Sequence, residues 1–264
     1  MTSPGATGRV SIAATPYGPV TAPPLVFLRG LPALPHAPRA IDAFTERLSL
    51  RGTEGHRVYA LGRPSALPEA PTMAEVADLY ARVLRRRFGG RPVPLLGTST
   101  GASIALQLAV DHPELVSTLV IVSGAGRLGD EGRLLQRRYA DQVESGDRRA
   151  DAELALATLD FLGAGPMLRA VAPFLTAPED VSTLVPLVRA EDGFDILDRA
   201  ERIAAPTLFL CGDRDAFYPP DVVRATAARI PGARAIVRSH CAHGEVVLRP
   251  GHGAVVFGFL HRHR

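Results

Sequence analysis

A serine flanked by two glycines, between an apolar run and a helix-forming segment, is the feature that most narrows the fold of this chain. The apolar residues 93–96 lead into Gly97-Thr98-Ser99-Thr100-Gly101, and residues 104–109 follow with helical character. This order predicts a strand, a sharp turn and a helix, with Ser99 at the apex. The turn strains the serine backbone, and the glycines keep side chains away from it. The helix N-terminus favours negative charge beside the hydroxyl, so the segment predicts a nucleophile and half of an oxyanion site.

Strand-like and helix-like segments alternate along most of the chain. Thr72 and Glu75 form a capping box, which opens a predicted helix that runs to about Phe88. Several strand segments are continuous apolar runs, which is typical of strands covered on both faces. The chain is therefore expected to be an α/β protein with a mainly parallel central sheet flanked by helices on both faces. Strands are predicted at residues 9–14, 25–28, 56–61, 93–96, 115–123, 206–211 and 233–237, and further helices at 40–50, 221–229 and 253–261.

One long interval breaks this alternation, because no strand is convincing between Gly124 and Ala205. Helix-like segments fill it at residues 134–144, 150–162, 167–175 and 181–190. We interpret the interval as an inserted helical cap over the carboxyl edge of the sheet. The predicted domains are then a core of residues 1–126 and 204–264 and a cap of residues 127–203. The alternative is a set of ordinary crossover helices packed on the sheet. Apolar cap residues that could line the pocket or pack are Phe161, Met167, Leu168, Phe174 and Leu175.

A serine hydroxyl is a poor nucleophile unless a base takes its proton and a third group orients that base. Asp215 is the best candidate for the orienting acid, because it follows the strand at residues 206–211 at the same sheet edge as Ser99. Asp213 competes from the same loop, with local loop capping or pairing with Arg214 as its alternative role.

Histidine is the usual base, since its pKa lies near neutral pH. His243 is the best candidate, in the loop after the strand at residues 233–237, and His240 lies in the same loop. His252, beyond Pro250, is expected at the surface. The order serine, acid, histidine, each after a separate strand, strengthens this interpretation.

These pieces together resemble the α/β-hydrolase superfamily. The matching landmarks are the Ser99 turn, Gly212 with Asp215 three residues on, and His243 with Pro250 seven residues on. The resemblance covers nearly the whole chain. It implies that Ser99 is the nucleophile, Asp215 the orienting acid and His243 the general base, and that the insertion is the family's lid.

The resemblance also implies an oxyanion hole made by the backbone N–H groups of Thr100 and Leu31. The early loop departs from the family pattern, because Arg29-Gly30 stands where His-Gly is usual. The Arg29 guanidinium could bind a substrate carboxylate, or it could form a structural salt bridge behind the loop. Thr98 could widen the pocket or hydrogen-bond a ligand, with packing as the alternative.

Charge and cysteine content argue against several other classes of protein. The net charge is +3, and all 30 basic residues are arginine. The one dense run, at residues 82–87, ends a predicted helix and lacks the interleaved aromatics that base stacking needs, so no nucleic-acid partner is expected. Two cysteines, Cys211 and Cys241, are too few for a disulfide scaffold. With no long apolar stretch, we expect a soluble cytoplasmic protein with no metal and no cofactor.

The expected function is a serine hydrolase that cleaves an ester, thioester or related acyl bond of a small molecule through an acyl-enzyme. The alternative is a non-hydrolytic enzyme of the same fold, such as a lyase, an acyltransferase or a natural-product biosynthetic enzyme, that uses the same pocket. A third hypothesis is a binding protein with a retired triad. The sequence indicates neither the substrate nor the oligomeric state.

Overall fold

The structure of the protein, a computed structural model, describes residues 10–31, 46–147, 149–158 and 181–264. Seven strands form one sheet in the order β1-β3-β2-β4-β5-β6-β7. β1 runs antiparallel to β3, and every other neighbouring pair is parallel. The predicted mainly parallel sheet is therefore confirmed. The strands are β1 Ile12–Tyr17, β2 Pro24–Leu28, β3 Arg57–Pro64, β4 Val93–Thr98, β5 Val116–Val122, β6 Thr207–Gly212 and β7 Arg234–Arg238.

Helices cover both faces of this sheet. Successive strand residues point to opposite faces, so Leu95 packs in an apolar cluster with α1, α2 and α6, whereas Leu96 packs in a second cluster with α7. The capping box of α1 is present, because Glu75 N donates to Thr72 Oγ1 at 3.2 Å. The helices in the described ranges are α1 Met73–Phe88, α2 Thr100–Asp111, α3 Asp130–Glu144, α4 Ala150–Thr158, α5 Val181–Asp192, α6 Pro220–Arg229 and α7 His252–Arg262.

The predicted bounds of five strands lie within two residues of the observed ones, and those of the other two strands differ more. The first lies at Ile12–Tyr17 instead of residues 9–14, and the third continues past residue 61 to Pro64. Both differences follow from the antiparallel register, which pairs Tyr17 with Val58 and Ile12 with Pro64. A proline reads as a strand breaker in the sequence, but at a strand end it costs little.

Helices α3, α4 and α5 occupy the interval between β5 and β6, as predicted. They share an apolar cluster that includes Tyr139, Ala150 and Leu184. α5 contacts α1, α2 and β3, and α4 contacts a 3-10 turn at His243–Leu248. The predicted helix at residues 167–175 and the five apolar cap residues lie outside the described residues, as does most of the helix predicted at 40–50. In the described part of the chain, no helix combines the length and apolar character that a bilayer crossing requires.

His252 is buried, which corrects its predicted place at the surface. It begins α7 and is 1% exposed. The start of α7 packs closely on the loop at residues 51–52, because the carbonyl of Gly253 fills the space where a side chain on Gly52 would lie. Burial lowers the pKa of the His252 imidazole from 6.5 to about 4, and a hydrogen bond with the backbone of Ser49 only partly opposes this.

We predict that His252 makes the stability of the fold depend on pH. Between its folded pKa of about 4 and its unfolded pKa, the unfolded chain binds a proton that the folded chain does not, so acid favours unfolding. This one group should lower the free energy of unfolding by about 2 kcal/mol between about pH 7 and about pH 5.

Urea unfolding of the wild type and of His252→Gln at both pH values measures this effect. The variant should lose less stability on acidification, whereas His261→Gln, at an exposed position of the same helix, should match the wild type. Equal losses in the wild type and in His252→Gln would contradict the prediction.

Candidate active site

The turn at Ser99 holds the serine in the left-handed region of backbone space, at φ 52° and ψ −125°. β4 ends at Thr98 and α2 begins at Thr100, so Ser99 alone connects strand and helix. Glycines surround it because there is no room for side chains: a Cβ on Gly97 would meet the carbonyl of Gly101, and one on Gly101 would meet the end of β2. A Cβ on Gly30 would lie 3.0 Å from the Ser99 Cβ. The loop after β2 therefore runs directly beside the serine.

Ser99, His243 and Asp215 lie in one hydrogen-bonded chain. The Oγ of Ser99 is 2.9 Å from His243 Nε2, and His243 Nδ1 is 2.9 Å from both carboxylate oxygens of Asp215. Asp215 Oδ1 also accepts the backbone N–H groups of Phe217 and Tyr218, at 3.0 and 2.9 Å. Asp215 and His243 are buried, and the rings of Phe217 and Tyr218 lie beside the imidazole.

These hydrogen bonds determine the direction in which a proton can move between the three side chains. A carboxylate only accepts hydrogen bonds, so Nδ1 carries the proton that faces Asp215. The lone pair of Nε2 then faces the serine hydroxyl and can accept its proton. Asp215 follows the carboxyl end of β6, and Ser99 follows the carboxyl end of β4. Because these strands run parallel, both residues lie at the same edge of the sheet.

The competing acid and histidine make other contacts. Asp213 Oδ1 accepts the N–H of Cys241 at 3.0 Å. This hydrogen bond, and to a smaller extent one from the backbone of His240, lowers the pKa of the Asp213 carboxyl. His240 is exposed, and its Nδ1 lies 2.9 Å from Arg214 Nη2. Asp213 therefore ties the loop after β7 to the loop after β6, while His240 lies at the surface.

The two residues expected to supply oxyanion donors, Thr100 and Leu31, belong to the serine turn and to the loop after β2. Thr100 is the first residue of α2, where backbone N–H groups lack partners within the helix. Leu31 is half-buried and packs against the apolar cluster of the inserted helices. Gly30 N donates to Thr98 Oγ1 at 3.2 Å, so the Thr98 hydroxyl fastens the early loop to the serine turn.

Arg29 is paired with Glu46 in a largely buried ion pair. Nε and Nη2 contact the two carboxylate oxygens at 2.5 and 3.0 Å, and Nη1 donates to the carbonyl of Ala60 at 3.1 Å. The two side chains are 9% and 5% exposed. These contacts form a structural salt bridge, which was the alternative to substrate binding by Arg29.

One residue near this site was missed by the sequence reasoning. Glu191, near the end of α5, is fully buried, and its carboxylate accepts hydrogen bonds from four side chains, including that of Thr100. In the sequence it stands among Arg189, Asp192 and other polar residues, which is typical of an exposed helix end. No local pattern distinguishes it.

The cysteines are buried and unbonded. Burial raises the pKa of the Cys211 thiol to about 12 and also raises that of Cys241. Neither is a thiolate near neutral pH, so neither competes with Ser99 as a nucleophile. Across the described ranges, no group of three or more His, Cys, Asp or Glu side chains is arranged to hold a metal ion.

Comparison with known proteins places this geometry in a family. The profile of the alpha/beta hydrolase fold matches residues 23–248. A Klebsiella pneumoniae (strain 342) protein, provisionally named carbamate hydrolase RutD, is 31% identical over 181 residues, which is 64% of this chain and 65% of that protein. The match thus spans slightly less than two thirds of that relative's length.

Two further proteins are similar over more of the chain. A 2-hydroxy-6-oxononadienedioate/2-hydroxy-6-oxononatrienedioate hydrolase from a Pseudomonas species is 23% identical over 78% of this chain and 74% of its own. The enol-lactonase of Burkholderia xenovorans LB400 superposes with a TM-score of 0.78 at 18% identity, over 96% of this chain and 97% of that one. The sheet order, the serine turn and the profile match from the second strand to the histidine turn agree: the chain belongs to the α/β hydrolase fold family.

Proposed function

We propose that this protein is a serine hydrolase that cleaves an ester, thioester or related acyl bond of a small molecule through an acyl-enzyme. The observation that carries the proposal is the hydrogen-bonded chain from Ser99 Oγ through His243 to Asp215, with 2.9 Å at each link. The strained turn presents the hydroxyl at the start of a 12-residue helix. That placement suits a nucleophile whose attack creates negative charge nearby.

In the acylation step, Ser99 Oγ attacks the carbonyl carbon of the substrate while His243 Nε2 takes the hydroxyl proton. The carbonyl oxygen becomes an oxyanion, to which the N–H groups of Thr100 and Leu31 donate. Asp215 stabilises the imidazolium, since its carboxylate already accepts the Nδ1–H. His243 then gives its proton to the leaving group, and the bond to that group breaks.

In the deacylation step, a water molecule takes the position of the leaving group and gives a proton to His243 Nε2. The resulting hydroxide attacks the acyl carbon, and the proton passes back to Ser99 Oγ as the acid product leaves. No metal or redox group is required for either step. The same donors serve both oxyanions, which is why one preorganised site accelerates both.

The inserted helices complete the pocket in this proposal. A Cβ on Gly132 of α3 would meet the backbone of Phe217, in the loop that carries Asp215, and α4 contacts the turn that carries His243. Leu31 packs on the apolar cluster of the same helices. We therefore propose that residues 127–203 form a cap on the core of residues 1–126 and 204–264, and that this cap selects the acyl and leaving groups.

The names of the relatives fit chemistry at a carbonyl carbon. A lactonase opens a cyclic ester, and a carbamate hydrolase cleaves an acyl derivative of nitrogen or oxygen. Those substrates belong to those proteins. For this chain, those names favour hydrolysis over the non-hydrolytic alternative, and the ion pair with Glu46 supports a structural role for Arg29.

We predict that Ser99→Ala lowers kcat for an activated ester such as p-nitrophenyl acetate by on the order of 10³-fold or more, because the nucleophile is lost. A fluorophosphonate probe should label the wild type at Ser99 and leave the variant unlabelled, as mass spectrometry of the peptide can show. His240→Ala is the matched control and should keep its activity.

Near-native ester turnover by Ser99→Ala would overturn this assignment. Labelling of Ser99 without turnover of any acyl ester in a broad panel would point instead to the non-hydrolytic alternative. Failure of the probe to label the wild type would point to a binding protein.

We predict that Arg29 stabilises the early loop and does not bind substrate. Arg29→Met leaves Glu46 buried without its cationic partner, which should cost about 3–5 kcal/mol of unfolding free energy, while KM for a neutral ester stays unchanged. The double variant Arg29→Met/Glu46→Leu should recover most of the loss, because no charge remains buried. Arg86→Ala, at an exposed helix end, is the control. A stable Arg29→Met protein that has lost affinity only for carboxylate-bearing esters would show the opposite role.

A further inference from the structure

The carboxylate of Glu191 is saturated with hydrogen bonds although it is fully buried. Oε1 accepts from Ser103 Oγ at 2.8 Å and Tyr218 OH at 2.6 Å, and Oε2 accepts from Thr100 Oγ1 at 2.6 Å and Gln136 Nε2 at 2.8 Å. An ionised carboxylate has about four lone-pair positions, and here each is used. All four donors are neutral side chains, so hydrogen bonds from uncharged groups hold this buried carboxyl group in place.

The donors come from three separate parts of the fold. Thr100 and Ser103 lie in the first turn of α2, Gln136 lies in α3, and Tyr218 lies in the loop after β6. Glu191 itself is on α5, the last helix of the insertion. One side chain therefore joins the serine turn, two inserted helices and the loop that carries Asp215.

Glu191 reaches the reacting groups through a single residue on each side. On one side, Thr100 follows Ser99 directly, and its backbone N–H is the proposed oxyanion donor. On the other side, Tyr218 donates its N–H to Asp215 at 2.9 Å, and its ring stacks on His243 with centroids 6.0 Å apart. A shift of either residue would change the geometry of the nucleophile, the oxyanion donor or the acid–base pair.

A buried carboxyl group can hold such a network only while every partner is in place. Loss of the carboxylate removes the shared acceptor of four buried side chains. Ser103 and Tyr218 are then left with each other, at 2.9 Å, whereas Thr100 and Gln136 need another partner or water. Two of the groups that would move are the hydroxyls of Thr100 and Tyr218, whose hydrogen bonds to Glu191 hold these residues in place. The same low polarity that makes the network costly to disturb makes it rigid when it is complete.

We infer that Glu191 is a positioning residue for catalysis, which sets the oxyanion donor at Thr100 and the acid–base pair at Asp215 and His243 through Tyr218. The inference rests on the proposed function and deepens it, because it makes the insertion part of the catalytic apparatus. Glu191 does not touch the reacting atoms. Its effect should appear in kcat, where the transition state is stabilised, and not in KM.

The test is Glu191→Gln, which keeps the size of the side chain but replaces one acceptor oxygen with an NH₂ donor. With p-nitrophenyl acetate, kcat should fall by on the order of 10- to 100-fold while KM stays unchanged. Labelling of Ser99 by a fluorophosphonate should slow by a similar factor. Leu84→Ala is the matched control, because Leu84 is buried on α1, outside the insertion, and makes none of these hydrogen bonds. It should lower Tm and leave kcat unchanged.

Tyr218→Phe isolates one arm of the network, since it removes the hydroxyl but keeps the ring and the backbone N–H. It should also lower kcat, and the double variant with Glu191→Gln should be no worse than the poorer single variant, because both changes break the same link. If Glu191→Gln does not fold, Tyr218→Phe decides alone, and an unchanged kcat would overturn the inference.

The outcomes separate this inference from the proposed function. A wild type that is labelled at Ser99, with Glu191→Gln labelled equally fast and equal to Leu84→Ala in kcat, overturns the positioning role and leaves the hydrolase intact. A wild type that is not labelled at all overturns the hydrolase, and the positioning role with it.

Discussion

The positive φ of Ser99 is the constraint on which the rest of the site depends. A non-glycine residue in this region costs about 1–3 kcal/mol, and it persists only where its surroundings fix it. Here the N–H of Ser99 donates to the carbonyl of Val122 at 3.0 Å, and its own carbonyl accepts from Ala102 at 2.7 Å. Three glycines let the neighbouring backbones approach closely enough for those bonds. Strand β5, helix α2 and the loop after β2 therefore all meet at Ser99.

The acid and the histidine are held by a second close approach. Gly212, at the end of β6, leaves room for the carbonyl of Cys241, and Arg214 N donates to that carbonyl at 3.0 Å. Asp213 accepts the N–H of the same residue. These bonds lock the loops after β6 and β7 together one or two residues from Asp215 and His243. The geometry of the pair is thus set by backbone contacts and not by the two side chains alone.

The order of strands and helices could be predicted from the sequence because it depends on local patterns. Apolar runs, the Thr72–Glu75 box and the glycines around Ser99 each signal an element over a few residues. That order also places Ser99, Asp215 and His243 at the ends of separate strands. Features that depend on distant contacts could not be predicted: the burial of His252 against the loop at residues 51–52, the identity of Glu46 as the partner of Arg29, and the network around Glu191. Each joins residues whose own neighbours in the sequence resemble ordinary surface.

Glu191 also bears on how proteins of this fold could be recombined. A chimera that exchanged residues 127–203 with the matching segment of a relative would replace α5, and with it the acceptor of four hydrogen bonds from α2, α3 and the loop after β6. The donors at Thr100, Ser103 and Tyr218 would stay behind in the recipient. A crossover point placed before Val181 would keep Glu191 in the same parent as three of its four donors, Thr100, Ser103 and Tyr218, and would exchange only Gln136 of α3. Other residues of the insertion could then be swapped while α5 stays with the core that it contacts.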